Sequence, residues 1–378
     1  MDTKRRLSTL ILLSLMMVSL VVGLRDGETV KADSRTITVP NDYESIQDAI
    51  NNAVEGDTIY IKKGTYVENP VVNKSVSLIG EDRDRTVIDV TAGLKVERDN
   101  VTITGFTIYD GWQGITVSAN NSKISGNKIT NTQYGIVLLS SQNSTITENM
   151  LQSIGLSAAI QLSYSNNNVI KNNYVDSCTE GIQLREGSSN NIVEENTVTN
   201  CQDVAVRLMG SGVGRVWYGP NNNTITQNSI SSSRCGTTVY GANGNIISNN
   251  KYLNNTVQFS ANEDYYLTWG GSRSINTIDR NYWSDYNGTD ANRDGIGDTP
   301  YIIDAYNQDN NPVMLSISLA TPTLSPTPSP PNFGPTSSPT PSPSIPEFSL
   351  LLVLPLIVGI LFGAIVFSKH RKTATLSK

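Results

Sequence analysis

The sequence predicts an all-β fold, a right-handed single-stranded parallel β-helix (a solenoid), and three observations lead to it. A motif of asparagine, an aliphatic residue and asparagine returns along the chain, as in NSTITEN at 143–149 and NNVIKNN at 167–173. Most copies recur at intervals in the low twenties, a period typical of solenoids. Within each copy the apolar residues alternate by two, as in strands, and lack the three-and-four spacing of helical repeats.

Each copy also predicts how many strands a coil contains. The copies align on one aliphatic position: Ile103, Ile124, Ile146, Ile170, Val193, Ile225 and Ile247. A second apolar residue follows two positions after the closing Asn, and an aliphatic-x-aliphatic pair comes later, such as Ile182 and Leu184. The last such pair is Val257 and Phe259. One coil is therefore expected to hold three short strands joined by turns.

The repeated asparagines have a structural interpretation. Adjacent coils lie about 4.8 Å apart, so equivalent side chains stack. Asn tolerates the left-handed backbone of a sharp bend, and its amide can both donate and accept along a stacked column. Cys178 and Cys201 each stand five residues after a closing Asn. We expect them to stack as buried, reduced thiols and not as a disulfide or metal site.

The ends of a solenoid need caps, and residues 42–53 supply a candidate. Tyr43, Ile46, Ile50 and Ala53 are spaced as on one face of a helix, which would cover the first coil. The β-helix domain is predicted for 33–315, comprising an N-terminal cap with first coils (36–90), repeat coils (99–260) and a C-terminal cap (262–315).

The two termini predict targeting and attachment. Residues 1–32 combine a basic start with an apolar run and predict a signal peptide, with an uncleaved anchor as the alternative. Residues 316–346 are rich in Pro, Ser and Thr and predict an extended polyproline II stalk. Residues 347–378 contain the apolar run 350–367 followed by basic residues, which predicts a transmembrane helix with a cytoplasmic tail.

Three stretches resemble known families. The run VPNDYESIQDAINNAVEGDTIYIKKGTYVENPVVNKSVSLIGEDRDRTVID resembles the N-terminal part of many parallel β-helix surface proteins. The run NYWSDYNGTDANRDGIGDTPYIID resembles the C-terminal end of NosD-type proteins, which share the pectin-lyase-like β-helix called the carbohydrate-binding and sugar-hydrolysis domain. SIPEF, the apolar run and KHRK resemble an archaeal sorting tag with a Pro-Glu-Phe signature, which implies replacement of the tail by a lipid anchor.

The loop DANRDGIGD is a candidate calcium site. Its oxygen-bearing residues stand at positions 1, 3, 5 and 9, with Gly at position 6, as in loops that wrap Ca²⁺. Tyr301 stands where an EF-hand has Glu, so the loop more closely resembles the aspartate loops of thrombospondin-type repeats. The candidate ligands, including one main-chain carbonyl, are Asp290, Asn292, Asp294, Ile296 and Asp298. The alternative is a plain Asp/Asn/Gly turn.

The outward residues of the aliphatic-x-aliphatic strands form a candidate carbohydrate-binding strip. Planar amides and exposed aromatic rings suit sugars, whose ring faces are apolar and whose edges carry hydroxyls. The one 32-residue coil adds a loop, GSGVGRVWYGPN at 210–221, with further aromatic residues. The candidate ligand-binding residues are Gln161, Gln183, Arg215, Trp217 and Tyr218.

A catalytic reading has weaker support. Glycoside hydrolysis needs two carboxylates that face one bond, and Glu180 and Asp203 are candidates, with Arg185 and Arg207 on neighbouring coils. His370 is the only histidine and lies in the basic tail. A histidine base or histidine copper site in the β-helix domain is therefore excluded.

These observations favour an extracellular protein, membrane-anchored at the cell surface, that binds or organises a polysaccharide or surface glycan without catalysis. A β-helix polysaccharide lyase or glycoside hydrolase is one alternative, and a structural cell-envelope protein is another. The net charge of −6 argues against nucleic acid as a partner. Asn-x-Ser/Thr sequons occur at Asn73, Asn100, Asn120, Asn143, Asn222, Asn254 and Asn287, and several coincide with repeat positions.

Overall fold

The computed structural model describes residues 34–213, 216–261 and 275–314, and the predicted signal peptide, stalk and membrane segment lie outside these ranges. The described residues form a parallel β-solenoid of about ten coils with very little helix, which confirms the predicted fold. Within these ranges, no helix is long and apolar enough to cross a membrane.

Three parallel sheets run along the solenoid axis, with strands numbered in chain order. Sheet 1 contains β1 (Thr36–Val39), β2 (Thr58–Ile61), β5 (Ser77–Gly80), β8 (Thr102–Thr104), β10 (Lys123–Ser125), β12 (Thr145–Thr147), β15 (Val169–Lys171), β18 (Ile192–Glu194), β23 (Thr224–Thr226), β26 (Ile246–Ser248) and β29 (Thr277–Asp279). Sheet 2 contains β3 (Gly64–Val67), β6 (Thr86–Asp89), the first parts of β9 (Thr107–Val117) and β11 (Lys128–Leu139), β13 (Met150–Gln152), β16 (Tyr174–Asp176), β19 (Thr197–Thr199), β24 (Ser229–Ser231), β27 (Lys251–Leu253) and β30 (Tyr282–Trp283). Sheet 3 contains β4 (Val71–Val72), β7 (Leu94–Val96), the second parts of β9 and β11, β14 (Ala158–Ser163), β17 (Glu180–Arg185), β20 (Val204–Met209), β25 (Cys235–Tyr240) and β28 (Val257–Ser260).

Two antiparallel hairpins and one helix complete the described elements. The first hairpin joins β21 (Ser211–Val213) to β22 (Val216–Tyr218) within the 32-residue coil. The second joins β31 (Tyr301–Ile302) to β32 (Gln308–Asp309) near the C-terminal end. The helix, α1 (Ile46–Asn52), is shorter than the segment 42–53 from which it was predicted.

The core is built from side chains that stack in register. Ile124 pairs with Ile103 on one side and Ile146 on the other, and Ile170 continues the column. All four are fully buried, as the repeat predicts. Burying an aliphatic side chain contributes about 1.5–3 kcal/mol, so each added coil brings its own stabilisation.

One predicted strand alignment is wrong. Val257 is 45% exposed, whereas Gln258 is buried, and Val257 pairs with Cys235. The inward residue of this strand is Phe259, which packs edge-on against Tyr252 at a centroid distance of 6.5 Å. The large Phe259 ring fills this coil. The strand is shifted by two residues, because Phe259 pairs with Thr237, whereas the sequence predicted that it aligns with Val239.

The asparagines form two buried ladders. In the first, each main-chain N–H and each side-chain amide donate to the side-chain oxygen of the next coil, at 2.8–3.2 Å. This ladder contains Asn127, Asn149, Asn173, Asn196, Asn228, Asn250 and Asn281 and ends at Asp309. The second contains Asn168, Asn191, Asn223, Asn245 and Asn276.

The left-handed bends and the ladders use different residues. Asn172 has φ 54° and stands immediately before the ladder residue Asn173, and Asn167 with φ 58° precedes Asn168 in the same way. The sequence interpretation assigned both roles to the same asparagines. The structure divides them between consecutive positions, because the bend residue faces outward and the residue after it faces inward.

Each end of the solenoid is covered. At the first coil, Ser45 caps α1 by accepting from the Asp48 N–H, and α1 buries Ile46 and Ile50. At the other end, the Trp283 ring stacks on Tyr252 at 4.4 Å and on Tyr301 at 4.3 Å. These rings close the apolar interior at the last coil of the described residues.

Candidate functional site

The outward face of sheet 3 carries the candidate site. Gln161, Gln183 and Arg207 occupy one row on adjacent strands, because Gln183 pairs with both of the others. Thr238 continues the row on the next strand. These residues alternate with the inward aliphatic residues of their strands, as the sequence pattern predicts, but Gln161, Gln183 and Thr238 are buried, so this row is not the solvent-exposed strip that was expected.

A groove of about 360 Å³ crosses three coils at the end of these strands. It is lined by Leu139, Ser140, Gln161, Ser163, Tyr164, Arg185 and Glu186. Tyr164 is 50% exposed and Leu139 is 37% exposed, so an aromatic ring and an aliphatic side chain face solvent at the groove. The groove therefore combines apolar surface with amide, hydroxyl and guanidinium groups.

An ion-pair network lies at the opposite end of the same strands. The Arg207 Nη2 atom contacts Glu180 Oε1 at 3.1 Å and Asp203 Oδ2 at 2.6 Å. Arg234, from the next coil, contacts the other oxygen of Asp203. The Gln183 amide donates to Glu180 Oε2 at 3.0 Å. The structure therefore brings together Glu180, Asp203 and Arg207, as the sequence analysis proposed.

Burial governs the ionisation of Glu180. Its side chain is 16% exposed, and burial raises the pKa of its carboxyl group, while Arg207 and Arg185 oppose that increase. Arg185 itself lies apart from this carboxylate network and contacts Glu186 at 2.6 Å. Of the four catalytic candidates, three thus share one network and Arg185 belongs to the groove.

Several polar atoms of this face lack partners. Among the described residues, Gln183 Oε1, Arg185 Nε, Arg207 Nε and Thr238 Oγ1 are buried without a hydrogen bond. Buried polar groups are normally paired, and an unpaired one costs about 1–3 kcal/mol. Four such atoms on three neighbouring strands mark this face as unusual within the described part of the molecule.

The hairpin of the 32-residue coil borders the groove. The Cβ of Tyr218 lies beside Gly187, which directly follows the groove residue Glu186, and Tyr218 is 43% exposed. Trp217 belongs to β22, but its side chain is outside the described part of the structure, and Arg215 is outside it altogether. Tyr218 is therefore the one predicted loop contact whose position can be related to the groove.

Sequence reasoning missed two residues of this surface. Tyr164 has φ 50° and follows β14 directly, in the position that Glu186 occupies after β17. The sequence held a signal for both residues, because each comes three positions after a residue of the aligned row, Gln161 or Gln183. Arg234 precedes β25, and its approach to Asp203 spans the inserted hairpin, which the repeat period does not describe.

The Asp/Gly loop folds around its own main chain. The Asp290 carboxylate accepts from the Asp294 N–H at 3.1 Å and the Gly295 N–H at 3.0 Å. Asp298 accepts from the Ala291 N–H at 2.9 Å. No group of three or more His, Cys, Asp or Glu residues within 34–213, 216–261 and 275–314 could hold a metal ion. Calcium binding by this loop stays a prediction.

The cysteines do not supply a metal site either. Cys178 and Cys201 lie on adjacent coils, and both are buried and free, as predicted. Burial raises the pKa of each of these thiols to about 12 and that of Cys235 to about 11. Metals bind the thiolate, which is scarce at neutral pH under these conditions.

Comparisons with known proteins place the chain in a family. The family model described as periplasmic copper-binding protein (NosD) matches residues 50–288. A cell surface glycoprotein of Methanothermus fervidus is 29% identical over 124 residues, which are 31% of this chain and 20% of that relative. The match therefore spans about one-fifth of the relative's length.

Similar solved structures include two enzymes. A PL6 family alginate lyase shares 17% identity at a TM-score of 0.47, covering 66% of this chain and 38% of its own. A mannuronan C-5 epimerase A-module of Azotobacter vinelandii shares 16% identity at a TM-score of 0.45, covering 62% of this chain and 80% of its own.

The copper named in the family description does not fit the described residues. They include no histidine, since His370 lies in the tail, and their three cysteines are buried as thiols. No step of a mechanism is therefore derived through copper. The family itself rests on a match to more than half of the sequence and on the parallel coils described above: the chain belongs to the NosD family.

Proposed function

We propose that this chain is a cell-surface protein whose sheet 3 groove binds a carbohydrate chain without cleaving it. The observation that carries this proposal is the groove itself, which crosses three coils and places exposed Tyr164 beside Gln161, Ser163 and Arg185. The name of the Methanothermus relative supports a location at the cell surface. Attachment through residues 347–378 is part of the same proposal and lies outside the described residues.

The groove chemistry suits a sugar polymer. A pyranose ring has an apolar face that packs on an aromatic ring, and Tyr164 offers one with half of its surface free. The hydroxyls at the ring edge need planar donors, which the partly exposed Arg185 guanidinium provides, whereas the Gln161 amide is buried and bonded to Ser157 and Ser163.

The ion-pair network favours binding over catalysis. Glu180 and Asp203 both contact the same nitrogen of Arg207, and Asp203 also contacts Arg234. An inverting or retaining glycosidase uses one carboxyl group as an acid and keeps the other free to act on water or the sugar. Here both carboxylates are paired with arginine, so neither is left free to act on water or on a sugar.

The test is a binding titration of the full chain with a panel of neutral and acidic polysaccharides. We expect saturable binding, no release of reducing or unsaturated ends, and at least a several-fold loss of affinity in Tyr164→Ala. Tyr109→Ala is the matched control, because Tyr109 is 40% exposed and lies on sheet 2. Equal affinities for both variants, or no binding by the parent, would contradict the proposal.

A lyase or hydrolase is the second candidate, and one observation favours it. Glu180 is a largely buried carboxyl in contact with Arg207, its pKa is raised by burial, and such perturbed groups cluster at active sites. This alternative predicts slow release of unsaturated or reducing ends from a bound polysaccharide. Glu180→Gln and Asp203→Asn would each abolish that release, whereas Asp176→Asn on sheet 2 would leave it unchanged.

A further inference from the structure

Seven sequons occur in the chain, and the structure distinguishes among them. Four combine an exposed Asn with a Thr two residues later, and neither side chain has a hydrogen bond among the described residues. These four pairs are Asn100 with Thr102, Asn143 with Thr145, Asn222 with Thr224, and Asn254 with Thr256. The other three sequons have at least one of the two groups engaged.

Asn120 is the clearest of the engaged sequons. Its side-chain oxygen accepts from the Gln142 N–H at 2.9 Å. The hydroxyl of its partner Ser122 is buried, and it donates to the Asn120 carbonyl at 3.4 Å. Modification of Asn120 would require both contacts to break in the folded coil.

Asn73 and Asn287 are exposed, but their hydroxyl partners are held. Ser75, the partner of Asn73, donates to the Asp99 carbonyl at 2.6 Å. Thr289, the partner of Asn287, donates to Asp298 at 2.8 Å. Asn287 is the most informative of the seven, because it has the Thr-type sequon and an exposed Asn but a tethered hydroxyl.

The free sequons also have a common position in the fold. Asn100, Asn143 and Asn222 have φ 62°, 55° and 56°, and all three occupy the left-handed bend between sheet 3 and sheet 1. Asn100 and Asn143 are two coils apart, and Asn143 and Asn222 are three coils apart. At about 4.8 Å per coil, these separations are about 10 and 14 Å. Side chains on one edge are thus separated enough to carry bulky groups.

We propose that Asn100, Asn143, Asn222 and Asn254 are N-glycosylated, with the first three forming a line of glycans along the sheet 3–sheet 1 edge. The co-reactant is a lipid-linked saccharide phosphate. The bond between the sugar C1 and the phosphate oxygen breaks, a bond forms between C1 and the Asn Nδ2, and one amide proton leaves with the phosphate. Because Asn143 lies three residues after the groove residue Ser140, a glycan on Asn143 lies beside the groove.

The test is glycopeptide mass spectrometry on the full chain isolated from the cells that produce it. Saccharide mass additions are expected on the four free sequons, with Asn73, Asn120 and Asn287 remaining at the mass of the unmodified peptide. Thr145→Val should remove the addition at Asn143, whereas Thr145→Ser and the neighbouring Thr147→Val should keep it. Far-UV circular dichroism checks that each variant retains the parent fold.

The contradicting outcomes are distinct. Modification of Asn287 and Asn120 together with the other sites would show that hydrogen bonding in the fold does not select among sequons. Modification confined to Asn254 would refute the line of glycans on the sheet 3–sheet 1 edge. Complete absence of saccharide on the four free sequons would refute the proposal as a whole.

Discussion

Removing one amide from the first ladder tests whether the repeated asparagines hold the coils together. Asn173 lies at the middle of that ladder and is fully buried. Its amide nitrogen donates to Asn196 Oδ1 at 3.0 Å and to the Ile146 carbonyl at 2.9 Å. Its oxygen accepts from the Asn149 N–H at 3.1 Å and from the Asn149 side-chain amide at 3.0 Å. Asn173→Ala removes all of these contacts at once.

The expected cost follows from the groups left behind. The Asn149 N–H is left without a partner in the interior, and a buried unpaired group costs about 1–3 kcal/mol, whereas the Ile146 carbonyl keeps its place in the ladder between β12 and β15. The inter-coil amide contact contributes about 1 kcal/mol more, so we expect Asn173→Ala to lower the free energy of unfolding by ~2–4 kcal/mol. Asn172→Gly is the matched control, because Gly adopts a φ near 54° without strain and should cost less than ~1 kcal/mol.

The assay is urea unfolding of the parent and both variants, followed by far-UV circular dichroism. A large fall in the midpoint for Asn173→Ala, with an unchanged dependence on urea, would identify a change in native stability. If Asn173→Ala and Asn172→Gly destabilised the chain equally, the ladder would contribute no more than an ordinary surface bend, and the explanation of the repeat would fail.

Three further predictions concern ionisation, thiols and metal. Because the pKa of Glu180 is raised in the folded state, its carboxyl contributes stability below the ordinary pKa of 4.5, and this contribution is lost as the pH rises through the folded-state pKa. The stability of the parent relative to Glu180→Gln should therefore fall with rising pH, and a difference in unfolding midpoint that stays constant with pH would contradict this. Cys178, Cys201 and Cys235 should be unreactive toward a thiol reagent in the native chain and give three thiols after unfolding without reductant, and a count of one would indicate a disulfide. If the Asp/Gly loop binds calcium, chelation should lower the melting temperature of the parent but not of Asp290→Ala, and identical melting in both conditions would argue for a plain turn.

Much of the architecture was predictable because every coil of a solenoid repeats the same local pattern of residues. The aliphatic position represented by Ile124 and Ile146 recurs at a nearly constant interval, and parallel pairing places its copies in register. The alternation of inward and outward residues gave the wrong alignment at β28, because alternation alone does not decide whether Val257 or Gln258 faces outward. Gln258 is buried there and donates to Ser284 at 2.9 Å, a contact that depends on the C-terminal cap.

The candidate site was predictable to the extent that it lies on strands. Gln161, Gln183 and Arg207 follow from alternation and register, so their common row could be written down from the sequence. Arg234 could not, because it reaches Asp203 from a bend after an inserted hairpin, and the geometry of that bend depends on loop length. The repeat pattern also does not predict which charged side chains pair across coils, because it gives their positions but not their rotamers.

The carboxylate at the end of the first ladder has a consequence for how separate molecules meet. Asp309 Oδ2 accepts from the Asn281 N–H at 2.8 Å, from the Asn281 side chain at 3.1 Å and from Trp283 Nε1 at 3.1 Å. Unlike an amide, an ionised carboxylate has no proton to pass to a neighbour placed above it. The first ladder therefore ends at Asp309. A second copy of the chain that stacked on this end could not continue the ladder, which disfavours end-to-end assembly through it.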